Sequence, residues 1–504
     1  MISIINNHKS LRLLLSVLLA LALWQMGAVL FSRSMGLGGF LVAAPTDVLR
    51  RLLVLLTETG FWQRVWFSFY RILYGFFAAL ILGSAAAAAA GRFPLLETFL
   101  WPYITVVKTT PVASFIILCL IWMGSDNLSA AISFLMVLPI IYSNALEGIH
   151  STDRYLIEMA DVFHVGWTRR VLYIYLPQLK PYLISACGLS LGMTWKSGVA
   201  AEVIGIPGGS IGEMLYEAKV YLNARDLFAW TAVIILISAG FEKGFMTLLV
   251  KLYDRLEAIG KPSRRQGRRF PRGTGIKSGS ETGACEEDDL FCEICGDLSG
   301  GEDVAVTGIS KTFGEKKVLE NFSAVFPAGK CTCIMGDSGS GKTTLLRILM
   351  GLVVPDTGAV TGTDGQNTGA VFQEDRLCDS FNAVANVGFA CGVAVSRKQI
   401  AAHLTALGLG DSLYQPVRVL SGGMRRRVAI ARAVLACGQI LYLDEPFKGL
   451  DEQNRETVAE YILREGEGKT ILMVTHSLEE VELMGGGQPL VIPTVNHNGS
   501  AALE

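Results

Sequence analysis

The first half of the chain is dominated by long apolar runs, whereas the second half alternates short apolar runs with polar stretches. Six of the long runs approach the roughly 20 residues that an α-helix needs to cross the hydrocarbon core of a membrane. They lie at about residues 11–31, 72–90, 104–123, 128–146, 182–205 and 228–250. This pattern predicts an α-helical transmembrane domain over residues 1–260 with about six spans.

The first apolar run follows basic residues, as the core of a signal peptide does. A small-x-small cleavage site does not follow closely, and the run from 13 to 31 is long enough to cross a membrane. We therefore interpret it as an uncleaved span. Two later runs are interrupted, the third by Lys108 and Pro111 and the fifth by Trp195 and Lys196. Lys196 has two interpretations: a boundary lysine whose amine reaches the interface, or a residue of a transport path.

Charge in the loops between the runs predicts the topology. With the N-terminus inside, the loop over residues 147–181 is cytoplasmic, and it carries three arginines and a lysine. The short outside loop over residues 124–127 carries no basic residue, in agreement with the positive-inside rule. Arg50 and Arg51, before the second run, do not fit the rule unless they belong to an interfacial helix. We expect a multi-pass protein of the cell (cytoplasmic or inner) membrane, in contact with membrane lipid, whose second half lies in the cytoplasm.

Residues 261–302 are predicted to form a cytoplasmic linker. A basic half rich in Gly, Ser and Pro precedes an acidic patch. The basic half either rests on anionic lipid headgroups or is a solvated tether. Cys292 and Cys295 have the spacing of a metal or redox pair, with Cys285 nearby, but a fourth ligand is not evident. Incidental cytosolic thiols are the other interpretation.

From Val304 onward, short runs rich in Val, Ile and Leu alternate with helical stretches, which is typical of a soluble α/β domain. The run Cys331–Met335 reads as a strand that leads through GDSGSGKT into a helix, the arrangement of a phosphate-binding P-loop. Lys342 would contact the β- and γ-phosphates, and the Thr343 hydroxyl would bind Mg²⁺. The candidate nucleotide-binding residues of this loop are Gly336, Asp337, Ser338, Gly339, Ser340, Gly341, Lys342, Thr343 and Thr344.

A second apolar run, Gln439 to Leu443, ends in Asp444 and Glu445. Because the carboxyl ends of parallel strands share one edge of a sheet, this acidic pair is expected near the P-loop. Asp444 would hold Mg²⁺, and Glu445 would orient or deprotonate the attacking water.

Another candidate anion site lies between these two motifs, in the sequence LSGGM. Ser421, Gly422 and Gly423 precede a helical stretch, whose N-terminus attracts phosphate. One nucleotide does not need two such sites in one chain. This loop is therefore expected to close on the nucleotide of a second copy, which makes a homodimer the predicted assembly.

The sequence resembles the ATPase of ABC transporters, whose signature loop is LSGGQ; Met424 replaces the glutamine. The resemblance implies an α/β P-loop ABC ATPase domain with a helical subdomain over residues 303–495, using ATP and Mg²⁺. It assigns roles residue by residue: Gln373 to the Q-loop, which touches Mg²⁺ and faces the permease, His476 to the switch histidine, Asp451 to the D-loop, and Phe313 to stacking on adenine. Lys448 departs from the family, which has a small residue there.

The loop between the fourth and fifth runs resembles the "EAA" loop of importer permeases. Glu158 and Ala160 match, and so do Ile174, Leu176 and Pro177, whereas His164 stands where the family has glycine. The resemblance implies that an ATPase grips this loop; a connecting helix with no docking role is the other interpretation.

Stretches over residues 40–250 resemble permeases of the nitrate/sulfonate/taurine/bicarbonate importer class. Together the resemblances imply an ABC importer half-transporter, with the permease fused to the ATPase, that couples ATP hydrolysis to uptake of a small anionic solute. A separate extracytoplasmic solute-binding protein would deliver that solute. The alternatives are an ABC exporter, and a membrane-anchored ATPase that moves no solute. The net charge of −1 argues against a nucleic-acid partner.

Overall fold

The computed structural model describes residues 9–35, 43–260, 302–363, 366–392, 395–485 and 487–493. Packing divides the chain into two compact units. The first contains Met1–Thr152 and Gln178–Asp254, and the second contains Asp153–Pro177 and Arg255–Glu504. The domain boundaries predicted from sequence follow chain order, whereas the packing assigns Asp153–Pro177 to the unit of the ATPase motifs. The predicted linker, with its three cysteines, lies outside the described residues except for Glu302.

The described part of the first unit is built from helices. These are α1 (Lys9–Met35), α2 (Pro45–Leu55), α3 (Phe61–Arg92), α4 (Pro94–Thr109), α5 (Val112–Met123), α6 (Leu128–His150), α9 (Leu176–Gly205), α10 (Ile211–Val220) and α11 (Ala224–Gly260). The two helices between α6 and α9 in the chain, α7 (Arg154–Val162) and α8 (Trp167–Arg170), belong to the second unit.

Within the described residues, α3, α6 and α11 are long and apolar enough to cross a membrane, and α4 with α5 makes a fourth candidate if the bent pair is one span. This pair occupies the third predicted run, and its two helices meet at an angle of 106°. Thr110 takes ψ 132 because the ring of Pro111 disfavours a helical conformation at the preceding residue. The number of spans remains a prediction.

Small residues let α3 approach α6 closely. A Cβ at Gly75 would lie 2.2 Å from the carbonyl oxygen of Ala130, and one at Gly83 would lie 3.2 Å from Ile141 Cγ2. Ala79 and Ala87 lie on the same buried face of α3. In the absence of a hydrophobic driving force between helices in lipid, such backbone proximity is a principal source of attraction.

The second unit contains two sheets and the helices around them. Its further elements are β1 (Val304–Phe313), β2 (Lys316–Phe326), β3 (Cys331–Met335), α12 (Lys342–Leu349), β4 (Thr357–Thr361), β5 (Thr368–Val371), α13 (Ala383–Cys391), α14 (Arg397–Ala406), α15 (Gly422–Ala436), β6 (Ile440–Asp444), α16 (Glu452–Glu465), β7 (Thr470–Val474), α17 (Leu478–Leu483) and β8 (Leu490–Val491). The antiparallel sheet has the order β2-β1-β4, and the parallel sheet has the order β5-β6-β7-β3-β8. Every residue of β6 and β7 is buried, as parallel strands covered on both faces require.

The segment Asp153–Pro177 packs into the second unit through apolar side chains. Leu156, Met159, Phe163 and Ile174 belong to the same hydrophobic core as the ATPase strands. A turn follows α7, in which the N–H of Val165 donates to the carbonyl of Ala160. His164 occupies the left-handed position of this turn, with φ +48. His164, which stands where the family has glycine, thus adopts a conformation that is sterically unfavourable for a residue with a side chain.

Candidate functional site

The phosphate-binding loop follows β3 and leads into α12. Gly341 precedes the helix with φ +96, and a Cβ there would lie 2.9 Å from the carbonyl oxygen of Val318. Gly336 has φ +151, and a Cβ there would lie 2.7 Å from Ser340 Oγ. Both positions therefore need glycine for conformation and for space.

The Lys342 amine lies inside this loop. Its Nζ donates to the carbonyl oxygens of Gly336 at 2.8 Å and of Asp337 at 2.7 Å. Burial lowers the pKa of Lys342, and the nearby carboxylates of Glu445, Asp337 and Asp444 oppose that shift. A partly desolvated ammonium interacts more strongly with an anion than one surrounded by water does.

Asp444 ends β6 and meets the first residues of α12. The Thr343 hydroxyl donates to Asp444 Oδ1 at 3.5 Å. Burial raises the pKa of Asp444 to about 6, and the hydrogen bond from Thr343 opposes the rise. The described residues contain no cluster of three or more His, Cys, Asp or Glu side chains that could cage a metal. A hydroxyl, one carboxylate and an amide oxygen nevertheless suit Mg²⁺, which takes its remaining ligands from phosphate and water.

Glu445 follows Asp444 with its backbone in the left-handed region, at φ +49. Its N–H donates to the carbonyl of Val474, which ends β7. One carboxylate oxygen, Oε1, lies 3.3 Å from Nε2 of His476, and the other, Oε2, lies 3.5 Å from Nζ of Lys448. The structure thus brings the predicted catalytic glutamate and the predicted switch histidine into contact.

A pocket of about 390 Å³ opens over these groups. Its lining contains most of the loop residues that were predicted from sequence, together with three that were not. The residues are Lys316, Val318, Ser338, Gly339, Gly341, Lys342, Thr343, Thr344, Gln373, Glu445, Val474 and His476. Lys316, Val318 and Val474 carry no motif that identifies them in the sequence.

Other predicted site residues lie away from this lining. Phe313 is half exposed, with the Lys311 amine 5.5 Å from its ring centre. Ser421 caps α15 by accepting from the N–H of Met424 at 3.3 Å, and Asp451 caps α16 by accepting from the N–H of Asn454 at 2.9 Å. The roles of Phe313, Ser421–Gly423 and Asp451 remain predictions.

Arg426, which was not predicted from the sequence, ties the start of the Q-loop to the turn after β6. It is buried, and its guanidinium donates to the carbonyl oxygens of Asp444 at 2.7 Å, Glu445 at 2.6 Å and Pro446 at 3.1 Å, and also to Phe372. The run RRRVAIARAV after the signature loop contains this residue. The spacing alone did not show which of its arginines is buried.

Arg432, in the same run, was also missed. It is fully buried and donates to the carbonyl oxygens of Arg376 at 2.7 Å and Asp375 at 3.0 Å, next to the Q-loop residue Gln373. Burial lowers its pKa to about 10, which leaves the guanidinium charged at neutral pH. The two arginines therefore fix the Q-loop and the turn after β6 to one helix.

A second polar cluster of this unit centres on Glu158 of α7. Its Oε1 lies 2.9 Å from the guanidinium of Arg347, in the last turn of α12, and its Oε2 lies 3.1 Å from that of Arg376. The Arg376 guanidinium also stacks over the rings of Phe372, at 3.9 Å, and Tyr155, at 4.8 Å. One carboxylate thus joins the P-loop helix to the segment that follows the Q-loop.

Further contacts hold the segment Asp153–Pro177 against the rest of the second unit. Arg169 donates to the carbonyl of Phe389 at 2.8 Å, and the Thr368 hydroxyl donates to the carbonyl of Val162 at 3.1 Å. The ring of Tyr173 stacks on Phe381 with centres 4.5 Å apart. The segment Asp153–Pro177 is therefore held at several points within the second unit, and its docking role remains a prediction.

A P-loop after one parallel strand, with an acidic pair after a nearby strand, defines the class of P-loop nucleotide hydrolases. Two family models then match this chain: "ABC transporter" over residues 319–448, and "Binding-protein-dependent transport system inner membrane component" over residues 79–255. The chain belongs to the ABC transporter family, with a permease region and an ATPase region in one polypeptide.

Curated relatives match the ATPase half. "Aliphatic sulfonates import ATP-binding protein SsuB 1" of Nocardia farcinica is 40% identical over 184 residues, which are 35% of this chain and 73% of the relative. "Taurine import ATP-binding protein TauB" of Yersinia pestis bv. Antiqua is 33% identical, over 37% of this chain and 79% of the relative. "Nod factor export ATP-binding protein I" of Ralstonia nicotianae is 35% identical, over 36% and 61%.

These matches confirm the predicted family, the fold class and ATP hydrolysis coupled to transport. Because import and export cassettes both match the ATPase half, that half alone does not separate the two directions. The permease match separates them, because its family is described as binding-protein-dependent. The chain is accordingly an ABC importer in which both functional regions are present.

Proposed function

We propose that two copies of this chain form an importer for a small anionic solute of the sulfonate or taurine type, in the cell (cytoplasmic or inner) membrane. A separate extracytoplasmic protein binds the solute and delivers it, and the ATPase regions work in the cytoplasm. Support comes from the printed functions of two relatives of the ATPase and from the permease family. In each shared site, the P-loop of one copy would face Ser421–Gly423 of the other.

In this proposal the P-loop amides and Lys342 bind the phosphates, and Thr343, Gln373 and Asp444 hold Mg²⁺. The cation would neutralise phosphate charge when bound. Glu445 orients the attacking water and takes its proton, and His476, now 3.3 Å from Glu445, hydrogen-bonds the γ-phosphate. Arg426 donates to the carbonyl oxygens of both residues of the acidic pair and so holds the backbone of Asp444 and Glu445 in place.

The proposal rests mainly on one observation, the position of the Glu158 side chain. This residue lies within the permease match, yet its carboxylate bridges Arg347 and Arg376 of the ATPase fold. Movement of α12 or of the Q-loop on nucleotide binding therefore pulls directly on a permease segment. Because Arg347 and Arg376 engage different oxygens of the Glu158 carboxylate, the link between the two segments has a defined geometry.

The test compares Glu158→Gln with Asp161→Asn. Both residues lie on α7, but Asp161 is exposed and pairs with Arg170 of its own segment. We expect Glu158→Gln to reduce uptake of radiolabelled taurine or methanesulfonate at least tenfold in cells that also produce the binding protein. The ATPase rate of the purified chain should fall less than threefold, and Asp161→Asn should leave both near wild type.

Three results would contradict this proposal. Unchanged uptake in Glu158→Gln would remove the docking role. Equal loss of uptake and ATPase activity would indicate misfolding of the ATPase unit instead of lost coupling. ATP-dependent accumulation of the labelled solute in inside-out vesicles would indicate export.

A further inference from the structure

Lys448 places a cation directly on the catalytic carboxylate. Its Nζ lies 3.5 Å from Oε2 of Glu445, while Oε1 of the same carboxylate faces His476 at 3.3 Å. Both oxygens of Glu445 therefore have a partner in this state. The family resemblance provides no such cation, because a small residue is usual at this position.

The backbone fixes this contact. The Glu445 N–H donates to Val474, and its carbonyl accepts from Arg426 at 2.6 Å and from the N–H of Lys448 at 3.2 Å. Gly449, with φ +76, then turns the chain toward the D-loop. Lys448 and Glu445 are thus the two ends of one tight turn, which keeps their backbones close together.

The chemical consequence follows from what Glu445 must do. A base attracts and orients water through negative charge on its oxygens. An ammonium against one oxygen withdraws part of that charge and competes with the water for hydrogen bonding. Because Lys448 is 58% exposed, solvent screens the pair and limits its effect.

We propose that Lys448 is a brake on ATP hydrolysis, which holds Glu445 in an ion pair until the turn moves. This inference rests on the proposed role of Glu445. The turn runs into the D-loop at Asp451, and a second copy contacting the D-loop would draw Lys448 away. While Lys448 is paired with Glu445, the chain then hydrolyses ATP more slowly than it would if the Glu445 carboxylate were free of Lys448.

The experiment measures steady-state ATP hydrolysis by the purified chain in detergent, for Lys448→Ala, Lys448→Arg and Lys317→Ala. Lys317 is a matched control, because it also pairs with a glutamate three residues away, Glu320 at 3.0 Å, and is 60% exposed. We expect Lys448→Ala to raise kcat about two- to fivefold at unchanged KM for ATP. Lys448→Arg and Lys317→Ala should stay at the wild-type rate, and equal melting temperatures would show that all variants fold.

The result that overturns the brake is a kcat of Lys448→Ala equal to or below that of Lys317→Ala. A rise in kcat accompanied by a changed KM also overturns it, because Lys448 would then be acting on nucleotide binding. Glu445→Gln separates this inference from the proposed function. If that variant hydrolyses ATP normally, the role of Glu445 itself is wrong; if it is inactive and Lys448→Ala is not faster, only the brake is wrong.

Discussion

Each of the two units contains a buried charged side chain that joins separate elements, and the two side chains carry opposite charges. In the second unit Arg426 gathers four carbonyl oxygens from the Q-loop and the turn after β6. In the first unit Glu202 accepts from the Ser68 hydroxyl at 2.7 Å and from the N–H of Gly212 at 3.3 Å. Ser68 in turn accepts from the N–H of Ile211 at 2.9 Å.

The difference lies in how many groups each charge connects. A guanidinium has five N–H donors in a fixed plane, so Arg426 serves several loops at once. A carboxylate only accepts, and Glu202 therefore works through a relay, with Ser68 as the second member. Arg426 alone serves four carbonyl oxygens, whereas the junction of α3, α9 and α10 in the first unit is shared between Glu202 and Ser68.

The largest effect is expected for Arg426→Ala. Removal of the guanidinium leaves several buried carbonyls without donors, at about 1–3 kcal/mol each. We expect ATPase activity to be lost and the midpoint of thermal inactivation of the full chain to fall by about 10 °C. Arg425→Ala is the control, because the neighbouring Arg425 is partly exposed and pairs with Asp379 at 3.0 Å. If the two variants behave alike, Arg426 does not hold the loops.

At Glu202, we expect stability to depend more on keeping a hydrogen-bond acceptor of the same size than on keeping the negative charge. Glu202→Ala leaves the Ser68 hydroxyl and the Gly212 amide without an acceptor, which costs about 1–3 kcal/mol. Glu202→Gln keeps an oxygen for both donors and should remain within about 0.5 kcal/mol of wild type. Thermal aggregation of the purified chain in detergent measures both. Equal destabilisation by Gln and Ala would mean that the negative charge itself is required, and the comparison with Arg426 would then be closer than we propose.

The smallest effect concerns the turns that end helices in the two units. His164 after α7 and Leu222 after α10 occupy left-handed positions, with φ +48 and +52. In both turns the following N–H reaches back to the helix, as it does after Gly408 at the end of α14. Non-glycine residues there are sterically strained, so His164→Gly and Leu222→Gly should each stabilise the chain by about 0.5–1 kcal/mol.

The control for these glycine variants runs in the opposite direction. Gly408→Ala places a Cβ at φ +71 and should destabilise the second unit by about 1 kcal/mol. Thermal inactivation of the ATPase activity measures the stability of the second unit, and thermal aggregation in detergent measures that of the first. If His164→Gly is neutral while Gly408→Ala is destabilising, packing of the predicted docking segment, Asp153–Pro177, supplies the energy that holds His164 in this conformation.

The candidate residues of the ATPase site could be located from local sequence patterns because most of them lie within short motifs. A strand, a glycine-rich loop and a helix follow one another, so the positions of Lys342 and Thr343 could be read from the chain. Arg426 could not, because its partners lie up to 54 residues away and any of three consecutive arginines fits the motif.

The permease was harder to predict for a related reason. Apolar length locates helices, but it does not show that Thr110 and Pro111 break one run into two helices at 106°. The link from Ser68 to Glu202 joins residues 134 positions apart, with no spacing that indicates it. The docking segment was recognised by resemblance, whereas its core contacts and the two arginine partners of Glu158 required the three-dimensional arrangement.

The division of the chain into units makes the polypeptide cross between them more than once. It passes from the first unit to the second at Thr152 and Asp153, returns at Pro177 and Gln178, and passes again after Asp254. A protease that cuts between residues 261 and 301 would leave all three crossings intact and would divide the second unit instead. The two fragments should still purify together, because Asp153–Pro177 belongs to one fragment by covalent bonds and to the other by its packing. Because the segment Asp153–Pro177 already links the permease region to the ATPase region, the main effect of the genetic fusion is that the two regions are produced in equal numbers.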